Sequence, residues 1–186
     1  MRIVVGLGNP GEKYQQSRHN AGFMCVEVLR EQLGLPAWNL MKKNQALISK
    51  SAEWLLIEPQ TFMNQSGLAV RGVLEYYLKY GQLTESARLD LLKNVFIAHD
   101  DLDLRLGTHK IQFGRGPKVH NGLRSLGEHL GTEQFWHVRI GVDGRETTNR
   151  VPGREYVLAD FLVAEREIFA ASVKEVVHKL SSMSVQ

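Results

Sequence analysis

Cysteine is nearly missing from this chain: Cys25 is the single one among 186 residues. No internal disulfide can form, a reducing compartment fits best, and Cys25 itself reads as a small buried hydrophobe on an apolar helix. No apolar run approaches the length of a membrane span, and Met1-Arg2-Ile3-Val4-Val5 enters a strand at once, without a charged leader and a following apolar stretch. A cytoplasmic protein without membrane attachment is expected. Repeats and low-complexity tracts are lacking as well, which removes solenoids and linker-rich arrays.

What is present suits one folded unit spanning residues 1–186. With 43% hydrophobic residues the chain can bury one good core, and nothing marks a second domain. Net charge is only +3, but the segment 105–154 holds nine Lys/Arg against four Asp/Glu. Such clustering makes a polyanion partner plausible, because basic groups gain by releasing phosphate counterions; taken alone it is also what a solvated basic face looks like.

Short, largely β-branched apolar runs at 3–7, 54–57, 95–98 and 138–142 predict strands buried on both faces, and 46–51 and 109–113 predict strands nearer a sheet edge. Helical periodicity covers 21–33, 67–80, 123–130 and 164–180; Asn20 is placed to cap the first of these and Gly34 to end it. The alternation predicts a single-domain, three-layer α/β sandwich with a twisted, mixed β-sheet flanked by helices. Residues 144–155, rich in Gly, Arg and Thr, are the best candidate for a mobile loop.

Ligand sites in such folds gather outside the carboxyl ends of the strands. Asn9 follows the first strand, Asn64 the 54–57 strand and Asp100 the 95–98 strand; Asn121 precedes a helix, and His19 sits just before the helix at 21–33. These loops share one sheet edge. His19 is the natural general base, because the positive end of the helix behind it disfavours imidazolium and leaves the ring able to accept a proton from water. Asp100 can receive the other ring N–H and hold the tautomer.

No serine or cysteine stands in a nucleophile-elbow pattern, which favours direct attack by activated water. Asparagine amides donate and accept without net charge, as needed around an ester, a ribose edge or a developing oxyanion. Any one of Asn9, Asn64 and Asn121 alone would read as a turn or cap residue; three in convergent positions point to function.

Two other patterns invite a different chemistry. The run His99-Asp100-Asp101-Leu102-Asp103 could hold a divalent metal, but strand alternation sends Asp100 and Asp101 to opposite faces and no matching His/Glu pair is near in sequence. His120 alone reads as a structural or loop histidine. Gly6-Leu7-Gly8-Asn9-Pro10-Gly11 fits the GxGxxG dinucleotide pattern, yet residues 10–18 separate it from the helix, and the acids about 20 residues on, Glu27 and Glu31, fall inside that helix.

The motifs GLGNPG-x-x-Y-x-x-S-R-H-N-x-G (from Gly6), P-x-T-F-M-N-x-S-G (from Pro59), H-D-D-L-D-L (from His99), H-N-G-L-R-S (from His120) and V-R-I-G-V (from Val138) resemble, in order, those of bacterial peptidyl-tRNA hydrolases. The resemblance runs from Met1 to about Leu180. It implies hydrolysis of the ester joining a peptide, or an N-blocked aminoacyl group, to the 3′-terminal ribose of tRNA, by a monomer that needs neither metal nor cofactor. It further implies His19 as base, Asp100 as its orienting acid, Asn9 and Asn64 as residues positioning peptide and terminal adenosine, and Asn121 beside the attacked ester. Tyr14 and Met63 fall on the substrate side, and Arg139 matches a basic residue that helps grip tRNA phosphate. The acceptor stem and 3′ CCA end would be the part of tRNA bound.

The pattern is broken in places. A glycine-rich approach to His-Asn is replaced by Gly114-Arg115-Gly116-Pro117-Lys118-Val119, Gln112 stands where a basic residue is common, and Asp143-Gly144-Arg145-Glu146 opens an insertion. The rival reading is a paralogue that keeps the fold and binds RNA as a processing or assembly factor. Retention of Asn9, His19, Asn64, Asp100 and Asn121 favours the enzyme, since a pure binder has no need of a base with its orienter.

Overall fold

The chain is described by a computed structural model for residues 1–145 and 151–183. Its elements, in chain order, are β1 (Arg2–Gly6), α1 (Ala21–Gln32), β2 (Asn39–Met41), β3 (Ala46–Lys50), β4 (Trp54–Pro59), α2 (Ser66–Leu78), α3 (Glu85–Leu92), β5 (Val95–Arg105), β6 (His109–Phe113), α4 (Asn121–Leu130), β7 (Trp136–Asp143), α5 (Gly153–Leu158) and α6 (Val163–Ser182). One seven-stranded sheet runs β2-β3-β4-β1-β5-β7-β6. The inner four strands, β4, β1, β5 and β7, are parallel, while β3 pairs antiparallel with β4, β2 with β3, and β6 with β7.

Strand alternation divides the core in two. Ile3, Val5, Leu55, Ile57, Val95 and Ile97 face α2 and α4, packing with Val70, Leu74, Leu123 and Leu126. Val4, Leu56, Phe96 and Ala98 face α1 and α6, packing with Val26, Leu29, Val173 and Val177. Helices therefore cover both faces, giving the expected three-layer α/β arrangement. Among the described residues no helix is long and apolar enough to cross a membrane.

The chain passes from β4 through α2 and α3 to β5, leaving β1 between them. Loops from neighbouring parallel strands thus open a crevice at their carboxyl ends, where a site can form. Gly22, in the first turn of α1, allows this helix to lie against the sheet: a Cβ there would fall 2.2 Å from the Ala98 carbonyl oxygen and 2.4 Å from the Leu7 nitrogen. That close approach carries the turn before α1 up to the end of β5.

Several elements differ from the sequence expectation. β5 runs on to Arg105, because pairing with β7 continues through Asp101 opposite Gly141 and resumes at Arg105 opposite Asp143. Asp100 is accordingly inside a strand, not in a loop after one. Helix α4 starts at Asn121, two residues early. The edge strand β2 is three residues long and carries no alternation to read; α3 buries only Leu92 fully and starts at a Thr84 cap, whose Oγ1 accepts from the Ala87 N–H at 3.3 Å. Of the expected mobile loop 144–155, residues 146–150 lie outside the described residues. Residues 153–155 are helical, because Tyr156 and Val157 bury and draw the chain into a turn whose Glu155 and Tyr156 N–H groups bond to the Pro152 carbonyl.

Glu58 on β4 is a buried carboxyl near Glu27 and Arg30 of α1. Burial, together with the Glu27 charge, raises its pKa from an ordinary 4.5 to about 8, against the opposing pull of Arg30. The folded protein then holds a proton that the unfolded chain releases. Stability from this group is full below pH 4.5 and is lost as pH rises towards 8, at up to about 1.4 kcal/mol per pH unit. Denaturant melts between pH 5 and 8 should show this decline in the wild type and a flatter profile in Glu58→Gln; equal slopes would refute it.

Candidate active site

The loop after β1 bends at Gly11, whose φ of 103° is open to glycine but strained for other residues. It is then clamped by a side chain: Asn20 accepts the Asn9 N–H at 2.8 Å and donates its amide to the Asn9 carbonyl at 3.0 Å. Asn20 occupies the residue before α1 yet makes no capping bond, contrary to the expected N-cap, because both ends of its amide are engaged by Asn9. The Asn9 side chain is oriented in turn. Its Oδ1 accepts the Met63 N–H at 2.9 Å, which turns its NH2 group into the available donor.

His19 lies in a 3-10 turn, Arg18–Asn20, immediately before α1. Its Nδ1 is 2.7 Å from Asp100 Oδ1. An ionised carboxylate can only accept, so Nδ1 carries the hydrogen and Nε2 is left as the basic nitrogen. The turn is held from behind by Arg18, which pairs with Glu165 at 2.5 Å, donates to the carbonyls of Ala159 and Asp160, and lies 4.0 Å from the centre of the Tyr156 ring. No sequence signal singled out Arg18, since its partners lie about 140 residues away.

His120 is where the sequence reading falls shortest. It is the N-cap of α4: its Nδ1 accepts from the N–H groups of Gly122 at 3.2 Å and Leu123 at 3.3 Å, so the hydrogen sits on Nε2. That Nε2–H donates to the same Asp100 oxygen at 3.0 Å. Asp100 thus receives two imidazole donors, and the rings of His19 and His120 lie 5.2 Å apart between centroids. The cue was available in His-Asn preceding an amphipathic helix, but the meeting with Asp100 was not.

The charges follow from this geometry. Burial alone would raise the Asp100 pKa, but His19 and His120 outweigh it and hold the carboxyl well below the usual range. For His19, burial pulls the pKa down, and the charge and hydrogen bond of Asp100 more than offset it, so the net shift is upward. The positive end of α1, expected to keep His19 neutral, is outweighed by the nearer carboxylate, because Asp100 is in direct contact and the site is poorly solvated. Behind His120, His99 and His137 pack edge-on to one another, 5.8 Å apart. Burial keeps both neutral, with His137 down to about 4 and His99 well below its ordinary value.

His19, Asp100 and His120 bring three donor atoms within 4.8 Å, a grouping that could suggest a metal. The donor chemistry opposes it. His120 could offer Nε2 as a ligand only by moving its hydrogen to Nδ1 and surrendering both bonds that begin α4. Asp101, the other acid of the suspected run, faces away from Asp100, with its Oδ2 bonded to Arg139 Nε at 2.7 Å.

A cleft of about 930 Å³ opens over this pair and is lined by Asn9, His19, Met63, Asn64, Asp100 and Asn121, among others. Six of the eight residues singled out by sequence therefore share one cavity. The remaining two do not join them. Tyr14, in a 3-10 turn at Glu12–Tyr14, sits under the Lys13 ammonium, 4.7 Å from the ring centre. Arg139 on β7 is 7% exposed, paired with Asp101 and bonded to Gln112 Oε1 at 3.0 Å.

The sequence profile of the peptidyl-tRNA hydrolase family matches residues 3–186. The peptidyl-tRNA hydrolase of Aliarcobacter butzleri is 36% identical over 184 residues, covering 98% of this chain and 92% of the relative. That of Geobacter metallireducens is 39% identical over 187 residues, covering 98% and 88%. Among solved structures, the peptidyl-tRNA hydrolase of Acinetobacter baumannii superposes with a TM-score of 0.79 at 31% identity, covering 97% of this chain and 87% of that one.

The electrostatics can be checked without any substrate. In an NMR titration the His19 ring should titrate above 6.5 in the wild type and below 6.5 in Asp100→Asn, where burial remains and the charge is gone. A midpoint unmoved by the substitution would show that Asp100 does not set it.

Proposed function

The chain belongs to the peptidyl-tRNA hydrolase family, and from that premise we propose that His19, oriented by Asp100, activates the water that cleaves the ester between peptide and tRNA. The observation carrying this reading is the 2.7 Å contact between His19 Nδ1 and Asp100 Oδ1 on the wall of the cleft. Asp100 holds the ring with Nε2 free for substrate water and stabilises the imidazolium that forms when Nε2 takes the proton. The water oxygen adds to the ester carbonyl. Collapse of the tetrahedral intermediate then breaks the acyl–oxygen bond, and the proton returns from His19 to the departing ribose oxygen.

Asn9 is suited to the developing oxyanion, because the Met63 N–H fixes its amide and leaves the NH2 donor available in the cleft. Asn121 begins α4 beside the His120 cap and supports the reacting ester; Asn64, exposed on the 3-10 turn Met63–Gln65, serves the peptide and the terminal adenosine. Met63, buried at 4% exposure, walls the cleft. Tyr14 would act on substrate only indirectly, through the Asn9 loop: Ser17 donates its hydroxyl to the Tyr14 carbonyl at 2.8 Å. The substrate end is taken to be the acceptor stem with its 3′ CCA, and the protein to work as a cytoplasmic monomer without metal or cofactor. No observation favours a binding-only paralogue.

Single-turnover release of N-acetyl-aminoacyl groups from tRNA tests the mechanism. His19→Ala should lose at least about 10²-fold, the scale of a removed general base. Comparable rates in variant and wild type would end the assignment. Since the base must be neutral, kcat/KM should fall as pH drops through the His19 pKa, which lies above 6.5, and this acid limb should move to lower pH in Asp100→Asn. An acid limb unchanged in position would place the titrating group elsewhere.

A further inference from the structure

Arg139 is poorly placed to hold a phosphate. Its guanidinium is buried, its charge is matched by Asp101, and its remaining side-chain bond is to the neutral Gln112, while Lys110, directly opposite it on β6, is exposed. Drawing it outward would leave the Asp101 carboxylate, itself 1% exposed, without its counter-charge. Yet a substrate joined to the 3′ end of tRNA carries phosphodiesters that must leave the cleft alongside the reacting ribose.

The cleft has its own cations. Lys118, from the segment between β6 and α4, and Arg154, from the start of α5, are exposed and line it. Among the described residues neither has a carboxylate within ion-pair distance. Arg124 of α4 also lines the cleft but is weakly tied to Glu128 at 3.9 Å. The acids present are Asp100, already bonded to two imidazoles, and the exposed Asp103. Lys118, Arg124 and Arg154 against Asp100 and Asp103 leave the cleft lining with one more cation than anion, and the two cations without a carboxylate partner come from separate segments beside the His19–Asp100 pair, where a polyanion must pass.

We propose that Lys118 and Arg154 grip the phosphates of the single-stranded 3′ end of tRNA, the role that Arg139 would otherwise be assigned. Lys118 lies between β6 and α4, and Arg154 in the first turn of α5. The grip rests on the proposed function for the choice of RNA end, but it can be read without hydrolysis. Exposed ammonium and guanidinium groups bind phosphate by charge and counterion release, while Arg139 keeps β5, β6 and β7 in register.

The test is equilibrium binding of N-acetyl-aminoacyl-tRNA to His19→Ala protein, whose ester-cleaving base is removed, at several salt concentrations. Adding Lys118→Gln and Arg154→Gln should weaken binding about tenfold and reduce the slope of log affinity against log salt by about 0.7 for each charge removed. The same charge loss at the exposed and remote Lys43 and Lys174, by Lys43→Gln and Lys174→Gln, should leave the slope in place. An unchanged affinity and slope in the first pair would overturn the proposal, as would an equal fall in the second, which would make overall charge the cause. Failure of the hydrolytic reading would appear separately, as His19→Ala turning over substrate like the wild type.

Discussion

A carboxylate 3% exposed and set inside a parallel strand needs donors, and Asp100 finds two on one oxygen, His19 at 2.7 Å and His120 at 3.0 Å. The rest of the site depends on this meeting. It gives His19 its tautomer and its raised proton affinity, and it keeps the acid ionised where burial would otherwise neutralise it. It also joins three parts of the chain, since the donors come from the turn before α1 and the cap of α4 while the acceptor belongs to β5.

Each of those parts is held independently of the carboxylate. Gly22 lets α1 rest directly against the sheet, so the His19 turn arrives at the end of β5. Arg18 and Glu165 lock that turn to α6 across 147 residues of sequence. His120 is fixed by the first N–H groups of α4, which need an acceptor in any case. His19 and Asp100 are therefore preorganised by contacts whose first purpose is to begin or pack helices.

Adjacent residues on β5 are put to opposite uses by the period of a strand. Asp100 turns to the imidazoles, and Asp101, one residue on, turns to Arg139 and neutralises it. One acid orients His19 and raises its proton affinity. The other pairs with Arg139, so the cations left without a carboxylate partner at the cleft are those on the segments around it.

Much of this was legible beforehand. Among the described residues, strand and helix periodicity located six of the seven strands and four of the six α-helices, since buried runs and amphipathic stripes are local in sequence. The elements missed, β2, α3 and α5, are short or bury few residues and take their conformation from what they pack against. His19, Asp100, Asn9, Asn64 and Asn121 were legible because polar residues after strands and before helices converge in an α/β sheet, and the ordered motifs identified the family and added Met63, Tyr14 and Arg139, of which only Met63 joins the cleft. Sequence alone thus determined the chemistry on offer: a histidine, an acid and three amides at one edge. Only tertiary structure decided which atoms meet. It made His120 a second partner of Asp100, turned Asn20 from a cap into a clamp, and buried Arg139 against Asp101, because each outcome rests on contacts between segments distant in sequence, whose distances no local pattern encodes.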